Sequence, residues 1–228
     1  MLAIDLFCKA GGAGRGLSRA GFEVIGVDIE RQPHYPFEFH QHDAMTYPLE
    51  GADFVWASPP CQKHSRLNGI NQKEYADFIV PIRERLLANG VPFVIENVVG
   101  APLIEPVILC GSMFGLGVWR HRQFEAHGFV IAPLPCEHYR VPYPLDVTGT
   151  GGPCLHRKTG GGGLHRKPKS MAQASSAMGI DWMTRAELVQ AIPPAYAEHI
   201  GLCAFKTIAR AESLRRRGWV AGSEGAGG

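Results

Sequence analysis

The sequence lacks the features that would mark a membrane or secreted protein. It has no apolar run near the roughly 18 residues that a membrane-spanning helix needs. Strand-like sequence begins at once, with "MLAIDLF", which leaves no room for a signal peptide. The cysteines at positions 8, 61, 110, 136, 154 and 203 follow no disulfide framework. We therefore expect a cytoplasmic protein with reduced thiols and no membrane contact.

The chain also lacks a large excess of charge of either sign. Its 23 Lys and Arg residues against 21 Asp and Glu give a net charge of +2, which says little about nucleic acid. The distribution is more informative, because residues 150–169 contain five basic residues and no acid. Such a segment can face phosphates, or it can be a solvated loop, and the residues alone leave both interpretations open.

Short apolar runs alternate with helical patterns through the first 130 residues. The runs at 3–7, 22–28, 37–43, 53–57, 93–96, 107–110 and 122–130 are typical of strands, and 75–87 has helical spacing. A further helix is predicted between the first two strands, through about residue 20. This alternation predicts an α/β fold with a doubly wound, mostly parallel sheet.

The composition changes after the last of these runs. Residues 129–175 are rich in proline and glycine and show little periodicity, which predicts a small irregular region. Regular structure is expected to return near Met183, with a helix capped by Thr184 and another over 193–217. The main domain would therefore comprise 1–128 and 176–217, and residues 218–228 would form a disordered tail.

A glycine-rich turn follows the first predicted strand. The stretch "DLFCKAGGAGRGL" contains neither a clean GxGxxG pattern nor a GKS or GKT phosphate loop. Asp28 and Asp43 close the second and third predicted strands, where carboxylates can accept hydrogen bonds from ribose hydroxyls and an adenine amino group. Each feature alone is as readily a turn former or a cap, but together they predict a nucleoside-containing cofactor.

The fourth and fifth predicted strands each end at a chemically active side chain. In "ASPPCQ", Cys61 follows two prolines that end the strand. In "FVIENV", Glu96 lies at a strand end, where burying a carboxyl is costly unless it has a partner or a task. In "RHR", Arg120 and Arg122 would share one face of an extended segment. From these residues alone, Cys61 is a nucleophile, a metal ligand or a bystander.

With "DLFCKAGG", "VD", "ASPPCQ", "ENV" and "RHR" in this order, the sequence resembles the DNA (cytosine-5)-methyltransferase family, in its compact, phage-like form. "QAIPPAYAEHIG" resembles the last motif of that family, so the resemblance covers about residues 2–126 and 175–201. It implies a Rossmann-like methyltransferase fold and S-adenosylmethionine as the cofactor. It also implies methylation of a flipped-out cytosine in double-stranded DNA by a monomeric enzyme, in the host cytoplasm if the gene is carried by a phage.

The resemblance further implies roles for single residues. Cys61 would attack C6 of cytosine, Glu96 would bind N3 and the exocyclic amine, Arg122 would hold O2, and Arg120 would order the site. The cofactor would contact Phe7, Lys9, Ala10, Gly11, Gly12, Asp28, Ile29, Asp43, Pro60, Gln190 and Ala191. Residues 129–175 would form a small target-recognition region. DNA would contact Gln62, Ser65, Arg140, Arg157, Lys158, Arg166, Lys167 and Lys169.

Elementary chemistry supports this set of side chains. Cytosine C5 becomes nucleophilic enough to accept a methyl group only after a thiolate adds at C6. A proton at N3 and a cation at O2 offset the charge that develops. A base inside a duplex must also be flipped out to reach such a site. We expect the nearby arginines and a helix start to lower the pKa of the thiol.

The sequence departs from the family at a few positions. Lys9 stands where glycine is usual, so it would point to solvent, pair with the methionine carboxylate, or accommodate a carboxylated S-adenosylmethionine. Val189 and Gln190 replace a usual Gly-Asn pair, and Val118 replaces a usual Gln. These differences leave the cofactor contacts open in detail.

Other interpretations stay open beside the resemblance. We assign no metal ligands, although Cys136-x-His138 and Cys154-x-His156 form a possible Cys2His2 set at a non-standard spacing. The chain could also be a catalytically silent DNA-binding homologue, although the intact set of Cys61, Glu96 and Arg122 argues against that. A methyltransferase acting on tRNA or on free cytidine nucleotides is the remaining alternative.

Overall fold

The computed structural model describes residues 1–61, 76–147 and 166–217, with a seven-stranded sheet at its centre. The strands are β1 (Leu2–Leu6), β2 (Glu23–Asp28), β3 (Glu38–Gln41), β4 (Phe54–Ala57), β5 (Phe93–Asn97), β6 (Val107–Leu109) and β7 (Arg122–His127). Their order is β3-β2-β1-β4-β5-β7-β6. The first five pair in parallel, and β7 runs antiparallel to both of its neighbours. The expected α/β fold with a mostly parallel sheet is confirmed.

Helices cover both faces of this sheet. They are α1 (Gly12–Arg19), α2 (Ile79–Asn89), α3 (Met171–Met178), α4 (Arg185–Leu188) and α5 (Pro194–Arg216). Alternate residues of each strand serve different layers: Phe54 and Trp56 pack with α1 and α5, whereas Val55 and Ala57 pack with α2. Burial on both faces explains why the central strands are apolar throughout. None of the helices in the described ranges is long and apolar enough to cross a membrane.

Helix α3 was not expected from the sequence. Residues 171–175 were predicted to be irregular, but a capped helix begins at Met171. The Ser170 side chain accepts a hydrogen bond from the Gln173 backbone N–H, and Gly179 ends the helix at φ 68°. Its buried face consists of Ala174, Ala177 and Met178, too small an apolar stripe to give a clear helical pattern.

The bounds of the other elements shift by a few residues. Helix α2 was expected over 75–87 and runs over Ile79–Asn89. Pro81 therefore lies in the first turn, where proline is tolerated because the first backbone N–H groups have no helical partner. The strand order reverses between β1 and β4, so a crevice is expected at their carboxyl ends.

Candidate active site

A cavity of about 440 Å³ lies at the carboxyl ends of β1, β2, β4 and β5, where the strand order reverses. This volume is within the range of roughly 300–1,000 Å³ that small-molecule sites occupy. Cys61, Glu96 and Arg122 all line it. So do most of the residues predicted to bind the cofactor: Phe7, Lys9, Ala10, Gly12, Asp28, Ile29, Asp43, Pro60, Gln190 and Ala191. The fold thus brings the two predicted residue sets together.

The glycine-rich turn is shaped by packing within the chain as well as by the cavity. Gly11 precedes α1 at φ 80°, and a Cβ atom there would lie 2.7 Å from Pro36 Cδ. Gly11 itself does not line the cavity. A Cβ at Gly12 would collide with the Ile192 carbonyl oxygen, so this glycine lets the C-terminal segment close over the turn. The Trp182 indole strengthens that closure by donating to the Ala10 carbonyl at 2.9 Å.

The acid at the end of β2 is held by the backbone. Asp28 accepts hydrogen bonds from the N–H groups of Lys9, at 3.1 Å, and Glu30, at 3.0 Å. The Lys9 ammonium lies 2.9 Å from a Glu30 carboxylate oxygen and 3.8 Å from Asp28 Oδ1. Lys9 adopts φ 44°, a conformation that favours glycine. Its ammonium therefore already has an acidic partner at the rim of the cavity.

Sequence reasoning missed Asp5, which is fully buried in β1 and also lines the cavity. The Tyr35 hydroxyl donates to Asp5 Oδ2 at 3.2 Å, whereas Oδ1 has no partner. Burial raises the pKa of this carboxyl well above its ordinary value. An acidic residue inside the otherwise apolar run "AIDLF" was the signal that could have found it.

The reactive end of the cavity is organised around Glu96. This buried carboxyl lies at the end of β5, with its Oε1 atom 3.2 Å from Nε of Arg122. It also bonds to the side chain of Ser58, in the loop after β4. The neighbouring Asn97 donates from Nδ2 to the Pro59 carbonyl at 3.0 Å. These contacts connect the end of β5 to the loop that carries Cys61.

Burial dominates the protonation of both reactive groups. It raises the pKa of Glu96, and Arg122 only partly opposes this. Burial and then the Glu96 charge raise the pKa of Cys61, although Arg122 and Arg120 act in the opposite direction. The prediction of a lowered thiol pKa is therefore wrong. The arginines act as expected, but they do not outweigh desolvation and the adjacent acid.

Arg120 lies behind the cavity rather than on its wall. Its φ of 33° places it outside the extended segment, so the prediction that Arg120 and Arg122 share one strand face is wrong. One guanidinium nitrogen donates to the Val189 carbonyl at 2.8 Å, while Nε and Nη1 are buried without a partner. Burial, followed by the charge of Arg122, lowers the pKa of Arg120 to about 9. The group still carries a positive charge at neutral pH.

The predicted DNA contacts are only partly described. Gln62, Ser65, Arg157 and Lys158 lie outside the described residues. Arg140 forms an ion pair with Glu137, and the Lys167 ammonium lies 3.0 Å from Asp146 Oδ2. The Arg166 guanidinium lies over the Tyr143 ring, 4.3 Å from its centre, and Lys169 is exposed. Two of the expected phosphate contacts thus already have acidic partners.

Two members of the possible Cys2His2 set lie beside another pair of potential metal ligands. Cys136 and His138 lie against Cys110 and His121, two residues that sequence reasoning did not connect with them. Cys154 and His156 lie outside the described residues. Because Cys110 and His121 belong to separate segments, no local spacing could have revealed the group.

Comparisons with known proteins identify the fold. The chain matches no protein-family model and no curated protein. A provisionally assigned DNA modification methyltransferase encoded within an E. coli prophage has a TM-score of 0.62 at 16% identity, covering 92% of this chain and 100% of that one. The S. pombe Dnmt2 methyltransferase scores 0.55 at 13% identity, covering 90% and 98%. The Entamoeba histolytica methyltransferase EhMeth scores 0.54 at 12% identity, also covering 90% and 98%. The resemblance drawn from the motifs is confirmed at the level of the fold.

Proposed function

We propose that this protein is an S-adenosylmethionine-dependent methyltransferase that methylates C5 of cytosine in DNA. One observation carries the proposal: Cys61, Glu96 and Arg122 share a single cavity with the residues predicted to hold the cofactor. A thiol, an acid and a guanidinium are the groups that addition to a pyrimidine requires. The similar structures are named as methyltransferases, one of them a DNA modification methyltransferase, which agrees with methyl transfer.

The cofactor would occupy the end of the cavity formed by β1 and β2. Asp28 is held in place by two backbone N–H groups and keeps lone pairs for ribose hydroxyls. Ile29 is 67% exposed and offers an apolar surface for an adenine ring, with Asp43 on the same cavity wall. The unpartnered Asp5 Oδ1 atom would accept a hydrogen bond from a cationic amino group. When bound, S-adenosylmethionine supplies an electrophilic methyl group.

At the other end, the sulfur of Cys61 would form a bond to C6 of the extruded cytosine. Glu96 would donate its proton to N3, and Arg122 would face the O2 carbonyl. The electron pair of the resulting enamine would make C5 nucleophilic, so that C5 would accept the methyl group as the bond between that group and the sulfonium sulfur breaks. Transfer of the C5 proton to water would then allow the S–C6 bond to break and the thiolate to leave, and the N3 proton would return to Glu96.

The raised pKa of Glu96 suits its role as an acid, whereas the raised pKa of Cys61 requires the thiolate to form within the site. Transfer of a proton from Cys61 to Glu96 creates a thiolate and a carboxylic acid without changing the total charge of the pair. The carboxylic acid is the form that N3 needs, and its burial favours it. The adjacent guanidinium of Arg122 stabilises the thiolate. This proton transfer would accompany binding of the cytosine, when addition at C6 uses the thiolate and protonation at N3 uses the acid.

A free cytidine nucleotide is the second candidate substrate. The observation that favours it is the pairing of Arg140 with Glu137 and of Lys167 with Asp146, which leaves less positive charge for a DNA backbone. A tRNA substrate would need the same phosphate contacts as DNA. We place DNA first because the remaining basic residues of 129–175 are well placed in sequence to supply such contacts.

The carboxylated cofactor is a variant of the same proposal, suggested by Lys9. Its ammonium is already paired with Glu30, on the side of the cavity where Asp28 would bind ribose. A carboxylated donor would have to displace that pair. We therefore place ordinary S-adenosylmethionine first.

The proposal is tested by incubating the protein with labelled S-adenosylmethionine and, separately, duplex DNA, tRNA or dCTP. We expect label in DNA and 5-methylcytosine among its nucleosides by mass spectrometry. DNA containing 5-fluorocytosine should form a covalent adduct with the protein, because the fluorine cannot leave as a proton.

The matched control for the adduct is Cys203→Ala, which removes a different partly exposed thiol. Cys61→Ala should abolish the adduct and Cys203→Ala should retain it. An adduct that persists in Cys61→Ala, or failure of all three substrates to accept label, would refute the proposal. Label in dCTP alone would establish the second candidate.

A further inference from the structure

Four potential metal ligands converge outside the cavity. Cys110, His121, Cys136 and His138, here named the Cys–His cluster, place their sulfur and ring nitrogen atoms within 4.8 Å of one another. We propose that the Cys–His cluster is a structural zinc site with two thiolate and two imidazole ligands. The preferred sequence interpretation assigned no metal, and its alternative paired Cys136 and His138 with Cys154 and His156 instead.

Four of the six distances between ligand atoms are close to those expected for a tetrahedron around zinc. Bonds of about 2.3 Å to sulfur and 2.0–2.1 Å to nitrogen predict separations of about 3.6 Å for S···N and 3.4 Å for N···N. The Nε2 atoms of His121 and His138 lie 3.3 Å apart. Cys136 Sγ lies 3.6 Å from His121 Nε2 and 3.2 Å from His138 Nε2. Cys110 Sγ lies 3.4 Å from His138 Nε2.

The charge and the surroundings of the cluster also suit zinc. Two thiolates cancel the charge of Zn²⁺, so the filled site is neutral and can be partly buried at little electrostatic cost. No carboxylate belongs to the cluster. The Ser112 hydroxyl lies 3.2 Å from Cys110 Sγ, within reach for the hydrogen bond that commonly supports a metal-bound sulfur. Four protein ligands leave no open position, which is typical of a structural site.

The ligands come from three separate segments of the fold. Cys110 follows β6, His121 immediately precedes β7, and Cys136 and His138 lie in the irregular region. The Trp119 ring stacks on the His138 ring, with centres 3.8 Å apart and planes at 8°, which fixes one imidazole in position. A metal here would fasten residues 136–138 to the sheet. If the proposed function holds, it would also position the flanking Arg120 and Arg122.

The first experiment measures the metal content of the full chain. The protein is purified without a histidine tag and separated from weakly bound metal by gel filtration. We expect one zinc ion per chain by inductively coupled plasma mass spectrometry. Replacement by Co²⁺ should give the intense visible absorption of a tetrahedral site, together with a sulfur-to-cobalt charge-transfer band. These readouts need no enzymatic activity, so they succeed or fail independently of the proposed function.

Variants then identify the ligands. Cys136→Ser and Cys110→Ser should lose most of the zinc and the charge-transfer band, whereas Cys154→Ser and Cys203→Ser should keep both. Retention by Cys136→Ser, or loss in Cys154→Ser, would overturn the assignment of these four ligands. If the ligand variants do not fold, the cobalt spectrum of the unaltered chain decides.

Two further outcomes would overturn the proposal outright. One is an unaltered chain that holds no zinc after growth and refolding with zinc and gives only the weak spectrum of octahedral Co²⁺. The other is an intact mass showing a Cys110–Cys136 disulfide in protein prepared under reducing conditions.

Discussion

The cavity and the Cys–His cluster both surround cysteine sulfur with polar groups, but the charges of those groups differ. Cys61 has a carboxyl and two guanidinium groups as its electrostatic neighbours. Cys110 and Cys136 have imidazoles, and no carboxylate belongs to their group. An acid and a guanidinium beside a thiol determine whether the sulfur keeps its proton, which is what a nucleophile requires. Imidazole and thiol groups that converge without a carboxylate are instead typical ligands of a metal ion. The neighbours of a thiol, more than its burial, indicate its role.

The largest effects are expected when Cys61 or Cys136 is replaced by serine. We expect Cys61→Ser to lower the rate of methyl transfer by about a thousand-fold or more, because Cys61 is the proposed nucleophile. Its zinc content should be unchanged. Radiolabel transfer and elemental analysis of the same preparations measure both properties. If Cys61→Ser lost zinc as readily as Cys136→Ser, the two regions would not be chemically distinct.

Glu96→Gln removes the charge of a carboxyl that neighbours Cys61 and does not belong to the Cys–His cluster. We expect methyl transfer to fall by about 10²–10⁴-fold, as is typical when a general acid is lost. Because ionised Glu96 raises the pKa of Cys61, its removal should shift alkylation of Cys61 to lower pH. Alkylation by iodoacetamide, followed peptide by peptide, provides the measurement, with Cys203 as an internal control. An upward shift at Cys61 would contradict the proposed coupling.

A smaller effect, on the stability of the protein, is expected in the loop that carries Cys61. Asn97→Ala removes the bond to the Pro59 carbonyl and should lower the free energy of unfolding by about 1–3 kcal/mol, the cost of an unsatisfied buried acceptor. Denaturant titration measures this. The exposed Asn89, at the end of α2, provides the control Asn89→Ala, which we expect to be close to neutral. Equal stabilities of the two variants would show that Asn97 does not secure the loop.

The smallest effect is expected at Lys9. Lys9→Gly relieves a left-handed backbone at φ 44° but loses an exposed ion pair, so stability should change by no more than about 1 kcal/mol. Because Glu30 already neutralises this ammonium, relative rates with ordinary and carboxylated S-adenosylmethionine should not change. Glu30→Gln is the matched variant, since it frees the ammonium. If Lys9→Gly eroded a preference for the carboxylated donor, Lys9 would be a specificity residue.

Many of the residues that line the cavity could be predicted, because they stand at or just after the ends of strands that are recognisable in the sequence. Cys61 follows β4 and Glu96 lies at the end of the adjacent parallel strand β5, and parallel strands present their carboxyl ends at the same edge of a sheet. The same reasoning placed Asp28 correctly at the end of β2. Asp5 was missed although it interrupts an apolar run, because its burial depends on the strands that pair with β1 on both sides. Helix α3 was missed because small residues form its buried face.

By itself, the sequence determined the alternation of strands and helices and the side chains that stand at the strand ends. Both follow from hydrophobic period and turn residues, which act over short stretches of chain. Only the tertiary structure decided that Glu30 neutralises Lys9, that burial outweighs the arginines at Cys61, and that Cys110 and His121 meet Cys136 and His138. Desolvation and the meeting of distant segments depend on how the whole chain packs, and no local pattern records them.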